Sequence, residues 1–84
     1  MRTQVFDLQQ LGFDARDFGG VIIGTKYDDY GYNEVKWDTD LESGFFRRIE
    51  AEIDFETGRI AEPRYAWFTN FQQLVNYAKE FVSS

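Results

Sequence analysis

The chain has 84 residues, fifteen acids against nine bases, and neither histidine nor cysteine. The length fits one small domain over residues 1–84, and a chain this short buries only about 60% of the surface it exposes when unfolded. Missing cysteine excludes disulfides, thiolate nucleophiles and cysteine-ligated metals; missing histidine excludes an imidazole base and histidine ligands.

Residues 3–11 read as a short helix. Thr3 is its candidate cap, Val5, Leu8 and Leu11 share near-helical spacing, and Gly12 ends it. The alternation of Gln4, Phe6 and Leu8 leaves an edge strand as the alternative. Residues 13–20 read as a connector. The β-branched run Val21-Ile22-Ile23, extended by Thr25 and Tyr27, predicts a strand over 20–27. Its continuous apolar character places it centrally. Residues 28–33 are turn formers, with Gly31 available for a positive φ. Residues 34–38 alternate polar and apolar, as a half-buried strand does, so the two strands form a hairpin.

Residues 38–44 read as a polar loop and 45–55 as the clearest strand. Period two assigns Phe45, Ile49, Ala51, Ile53 and Phe55 to the core face, with Arg47 interrupting. It sends Phe46, Arg48, Glu50, Glu52 and Asp54 to water. Residues 56–59 make a hairpin connection containing Gly58. A partner strand follows over 60–68, at an edge or bulged where Pro63 cannot donate a ladder hydrogen bond. Thr69-Asn70-Phe71-Gln72 matches a capping box with Thr69 at the N-cap. Phe71, Leu74, Val75, Ala78, Phe81 and Val82 then form one apolar stripe, which predicts a C-terminal helix. The expected fold is α+β: a four-stranded, mainly antiparallel sheet with this helix on one face, and a short N-terminal helix beside it.

The negative charge is localised. Residues 28–56 hold ten acids and three bases, a local charge of −7, while the rest of the chain sums to +1. Either this is a solvated face balanced by local pairing, or it is an acidic recognition surface. Net charge −6 disfavours direct contact with nucleic acid or anionic lipid. The longest apolar stretch, residues 65–68, is far short of a membrane span, which needs about 20 residues. The N-terminus has no apolar leader region, so a cytoplasmic location is expected.

Four groups of residues are candidates for chemistry. Residues 38–44 begin like a calcium loop, but the glycine and the closing glutamate are each one position late, so no metal site is expected. Glu50, Glu52 and Asp54 form a carboxylate row with same-face neighbours roughly 6–7 Å apart. Acid–base catalysis also needs a cleft and one desolvated carboxyl. An open row offers neither: it reads as a solvated face balanced within the fold by Arg48, or else as a surface for a basic partner. The turn carrying Asp28, Asp29, Tyr30 and Tyr32 has the composition of a binding loop; its alternative is a Tyr27/Tyr32 cross-strand pair. Tyr65, Trp67, Phe68 and Phe71 read first as core partners for the helix stripe. Alternation puts Tyr65 and Trp67 on one strand face, and if that pair is the exposed one it is a hot spot for a partner or a homodimer. No phosphate loop or nucleophile–base pair is present.

The expected function is therefore non-catalytic protein binding, without cofactor, through Asp28, Asp29, Tyr30, Tyr32, Glu50, Glu52, Asp54 and Trp67. By analogy of size and charge, the leading form is a small acidic inhibitor of a basic, nucleic-acid-binding protein. DNA mimics and phage anti-CRISPR or anti-restriction proteins act this way. The alternatives are a toxin-neutralising immunity protein and a structural domain that self-associates, as a homodimer, through exposed aromatics.

Overall fold

A computed structural model of the chain describes residues 3–29, 31–50, 53–54, 56, 59–60 and 63–82. The elements run α1 (Thr3–Gln10), β1 (Asp14–Asp17), β2 (Val21–Tyr27), β3 (Gly31–Asp38), β4 (Ser43–Glu50), β5 (Ile53–Asp54), β6 (Arg59–Ile60), β7 (Arg64–Phe68) and α2 (Phe71–Val82). The fold is α+β. The main sheet has five antiparallel strands in the order β1-β2-β3-β4-β7, not four. The extra strand is β1, whose Asp-Ala-Arg-Asp sequence carries one apolar residue and so looks like a connector. It is held by pairing with β2, and Ala15 alone reaches the core.

Helix α1 ends as its glycine requires. The Phe13 N–H donates to the Leu8 carbonyl at 3.1 Å and the Gly12 N–H to the Gln9 carbonyl at 2.9 Å, with Gly12 at φ 93°. This reversed turn satisfies the last helical carbonyls and brings Leu8 and Phe13 together in the core. Lys26 donates to the Leu11 carbonyl at 3.1 Å, tying β2 to the same helix end.

The strand expected over 45–55 divides. Strand β4 starts two residues earlier and stops at Glu50, while β5 pairs with β6 in a separate two-stranded ribbon. The return strand likewise divides around Pro63, and its second part, β7, is the sheet edge. Strand β3 begins at Gly31, three residues earlier than its alternation shows. Gly31 does not supply a positive φ. A Cβ there would collide with the Ile49 carbonyl of β4, so glycine serves close strand approach. Gly44 has the same role, leaving room for the Trp37 ring that lies over it.

Both helices lie on one face of the sheet. Leu8, Phe13, Ala15, Ile22, Val35, Trp37, Phe46, Leu74, Val75 and Ala78 form the core. The α2 stripe closes around Phe46, whose ring sits 5.1 Å from Phe81 and 5.4 Å from Tyr77; Trp37 meets Phe71 edge-on at 5.4 Å. Burying Phe46 completely contributes about 2–3 kcal/mol. The cap of α2 lies one residue later than its sequence suggests. Asn70, not Thr69, accepts the Gln73 N–H on its side-chain oxygen, at 3.1 Å. No helix among the described residues is long and apolar enough to cross a membrane.

Candidate interaction face

The helices fix which face of each strand is inside. Phe46 packs on α2, so Arg48 and Glu50, two and four residues on, share its side of the sheet. This reverses the assignment that alternation suggested for β4. Phe45, Arg47 and Ile49 face the other way, and the expected outward row loses its first member. Period two finds the two faces of a strand but does not label them. Both faces of β4 mix a phenylalanine with an arginine, so composition gives no label either.

Arg48 organises the inner side. Its guanidinium donates to Asp28 at 2.7 and 3.3 Å, to the Asn33 side-chain oxygen at 2.7 Å and to Glu50 at 3.0 Å. The hydrogen bond to Asp28, opposed by burial and reinforced by Glu50, raises the Arg48 pKa further, so this charge is permanent. Asn33 in turn donates to the Lys26 carbonyl and to Asp28. Asp28 also accepts the Gly31 N–H at 2.8 Å, closing the β2–β3 turn. Two residues expected to meet a partner, Asp28 and Glu50, are therefore partners of Arg48 within the fold.

The opposite face of the sheet has no layer over it among the described residues. Reading across the register, Tyr27 pairs with Tyr32 and Tyr32 with Ile49. Glu34 pairs with Arg47 and Arg47 with Tyr65; Lys36 pairs with Phe45 and Phe45 with Trp67. Trp67 is 71% exposed and Tyr65 50%. Their rings lie nearly parallel at 6.2 Å, and Phe45 touches both, at 5.0 and 5.6 Å. Tyr27 and Tyr32 form the expected cross-strand pair at 4.9 Å. Arg47 lies between the Tyr32 and Tyr65 rings, 6.0 Å from each centroid, and binds Glu34 at 3.2 Å. Its pKa is raised, chiefly by the Tyr65 hydroxyl as acceptor. Tyr32 donates to Glu34 at 3.0 Å; burial, with Glu34 beside it, raises its own pKa above the ordinary 10.0. At the far end, Phe18 rims a shallow groove of about 200 Å³ over Ile23 and Thr25. That volume is below the roughly 300 Å³ of small-molecule sites.

The open face balances its own charge. Asp14, Glu34 and Asp38 stand against Arg16, Lys36 and Arg47. Of the acids in the turns beside β3, Asp29 is exposed beyond one end of the strand, and Asp40 and Glu42 beyond the other; Glu56 is exposed elsewhere, between β5 and β6. The eight residues of β3 hold these ends about 24 Å apart. These turn acids therefore form two separate ends and not one patch. Asp38, first residue of the calcium-like stretch, accepts the Asp40 and Leu41 N–H groups as a turn former. No group of three or more potential metal ligands occurs among the described residues.

Of the expected contact residues, Trp67 and Tyr32 share the open face, Asp29 lies at its hairpin end, and Asp28 and Glu50 lie on the inner side. Tyr30 and Glu52 fall outside the described residues, as does the side chain of Asp54; only its backbone register, opposite Arg59 in the β5–β6 ribbon, is described. Tyr27 and Arg47 also belong to this face, and Phe45 lies on it and not in the core. The signal for them was the unbroken apolar run in β2 together with the doubled Phe-Phe-Arg-Arg of β4, which leaves one Phe and one Arg for each face. Compared with protein-family models, with curated proteins and with solved structures, the chain matches none.

Proposed function

We propose that the protein is a non-catalytic protein-binding module whose contact surface is the uncovered face of its five-stranded sheet. The observation that carries this is the exposed aromatic strip formed by Tyr65, Trp67 and Phe45, continued by Tyr32 and Tyr27. A contiguous apolar surface without a covering layer costs solubility, and such patches mark interaction sites. Tyrosine and tryptophan bury much area with little rotamer entropy, which makes them the usual anchors of an interface.

The partner suited to this face is a protein with an apolar centre and positive charge towards its rim. Asp29 at one end and Asp40 and Glu42 at the other are placed to meet that rim. Rim charges chiefly raise the rate of encounter and its salt dependence, while buried anchors slow dissociation. A basic nucleic-acid-binding protein has this character, and the module would act as its inhibitor by covering it.

The test uses a partner captured from the native host with the whole chain and then purified. Trp67→Ala and Tyr65→Ala should each raise the dissociation rate at least tenfold. The triple change Asp29→Lys, Asp40→Lys, Glu42→Lys should slow association and flatten its salt dependence with little effect on dissociation. A complex that tolerates the aromatic substitutions sinks the proposal.

A further inference from the structure

The two edges of the sheet are built differently. Strand β1 carries Asp14, Arg16 and Asp17 in four residues, and charge on an edge blocks pairing with another strand. Strand β7, Arg64-Tyr65-Ala66-Trp67-Phe68, has one charge, at its end. Among the described residues it pairs with β4 alone. Its free side therefore presents an unpaired ladder flanked by aromatic side chains.

We infer that β7 pairs antiparallel with β7 of a second copy of this chain, joining two five-stranded sheets into one of ten. Three observations select a second copy. First, the strand is self-complementary. A twofold axis at Ala66 uses all five residues, whereas a shifted register pairs fewer. It sets Tyr65 opposite Trp67 of the second copy, Ala66 opposite its own counterpart, and Arg64 opposite Phe68 of the second copy. Aromatic pairs of this kind stabilise strand pairing, and no like charges face each other. Secondly, the charge distribution permits it. The chain carries −6, but β7 carries only Arg64, and its neighbour β4 adds Arg47 and Arg48 against Glu50. Of the exposed acids in the β3 turns, Asp29 lies two strands from this edge, while Glu42 lies by Thr69 and Asn70, past the Phe68 end of β7 that would face Arg64 of the second copy. Thirdly, the area matches a weak dimer. Pairing buries the two strand backbones, the Arg64–Phe68 pairs and the facing flanks of Tyr65 and Trp67, which stays below the roughly 1,000 Å² of a stable interface and leaves the open-face surface of the rings free. Twofold symmetry also points both open faces to the same side, so the aromatic strips of the two copies become continuous across the junction.

Two measurements on the full chain test this. In sedimentation velocity the protein should dimerise with a dissociation constant in the range of about 1–100 μM. The dimer should tighten as salt is raised, because two −6 chains repel. Binding of a basic partner weakens with salt, so failure here is distinguishable from failure of the proposed function. Trp67→Lys, a charge on an exposed edge position, should abolish the dimer without unfolding the chain. The second measurement uses the absence of native cysteine. Opposed Cα atoms in an antiparallel pair lie about 4.5–5.5 Å apart, within disulfide range. Ala66→Cys should give a covalent dimer under mild oxidation, and Arg16→Cys on the β1 edge should not. A chain that stays monomeric to about 200 μM overturns the inference. So does equal crosslinking of the two variants. A dimer that survives Trp67→Lys also overturns it and points to another surface.

Discussion

Replacing Arg48 by methionine keeps most of the side-chain stem and removes the guanidinium, along with four hydrogen bonds on the inner side of the sheet. The cost follows from what each partner can do next. Asn33 is 2% exposed, so its oxygen cannot turn to water, and a buried acceptor left without a donor costs about 1–3 kcal/mol. The side chains of Asp28 and Glu50 are 32% and 27% exposed and regain part of their hydration. Their loss therefore stays below the roughly 3–5 kcal/mol of a fully buried broken pair. Together the effects come to about 3 kcal/mol. A domain of this length has about 4–12 kcal/mol in all, and this loss lowers Tm by about 12–24 °C. Arg47→Met is the control. That arginine faces the open side, its pair with Glu34 is partly solvated, and its Nε is buried without a hydrogen-bond partner. Its replacement should cost less than that of Arg48, about 1–2 kcal/mol, because Glu34 keeps the Tyr32 hydroxyl as a donor and no fully buried acceptor is left unpaired. Urea unfolding followed by tryptophan fluorescence is the assay, since Trp37 is buried and reports the core. If Arg47→Met is as damaging as Arg48→Met, the two faces of β4 have been assigned the wrong way round.

Three further outcomes are expected. Asn70→Ala should destabilise the chain by about 1 kcal/mol through loss of the α2 cap, and Thr69→Ala by no more than about half that. Equal effects in thermal unfolding would place the cap at Thr69 instead. Gly31→Ala should cost at least about 2–3 kcal/mol, because the added methyl meets the β4 backbone and not a side chain that can move aside. A neutral effect in urea titration would refute the close-approach argument. The raised pKa of Tyr32 means that the folded chain holds this proton more tightly than the unfolded chain. Its contribution to stability is complete below the unfolded value of about 10 and declines as pH rises through the folded value. Tyr32→Phe should flatten the fall in Tm measured between pH 9 and 11 (on the order of one unit either side of 10); an unchanged slope would assign that fall to other groups.

The elements with one-sided periodicity were legible in the residues themselves. The α2 stripe from Phe71 to Phe81 has one apolar side, so a helix there has one way to face. The strand around Val35 and Trp37 separates polar from apolar cleanly, and both residues are buried. Gly12 ends α1 because a left-handed residue is needed after its last turn. The acidic excess was also visible, but the separation of Asp29 from Asp40 and Glu42 at the two ends of β3 was not, because it depends on the length and direction of that strand.

Three features were settled only by tertiary packing. Strand β1 has too little apolar sequence to announce itself and exists because β2 offers it a ladder. The inward face of β4 was undetermined because Phe45 and Phe46, and Arg47 and Arg48, give its two sides the same composition. Contact of Phe46 with Tyr77 and Phe81 chose between them, and that choice placed Arg48 where Asp28, Asn33 and Glu50 can satisfy it. The uncovered aromatic face follows from the same event. Local sequence sets the period of each strand, but which side is buried depends on where the helices come to rest, and that is decided by contacts between residues far apart in the chain.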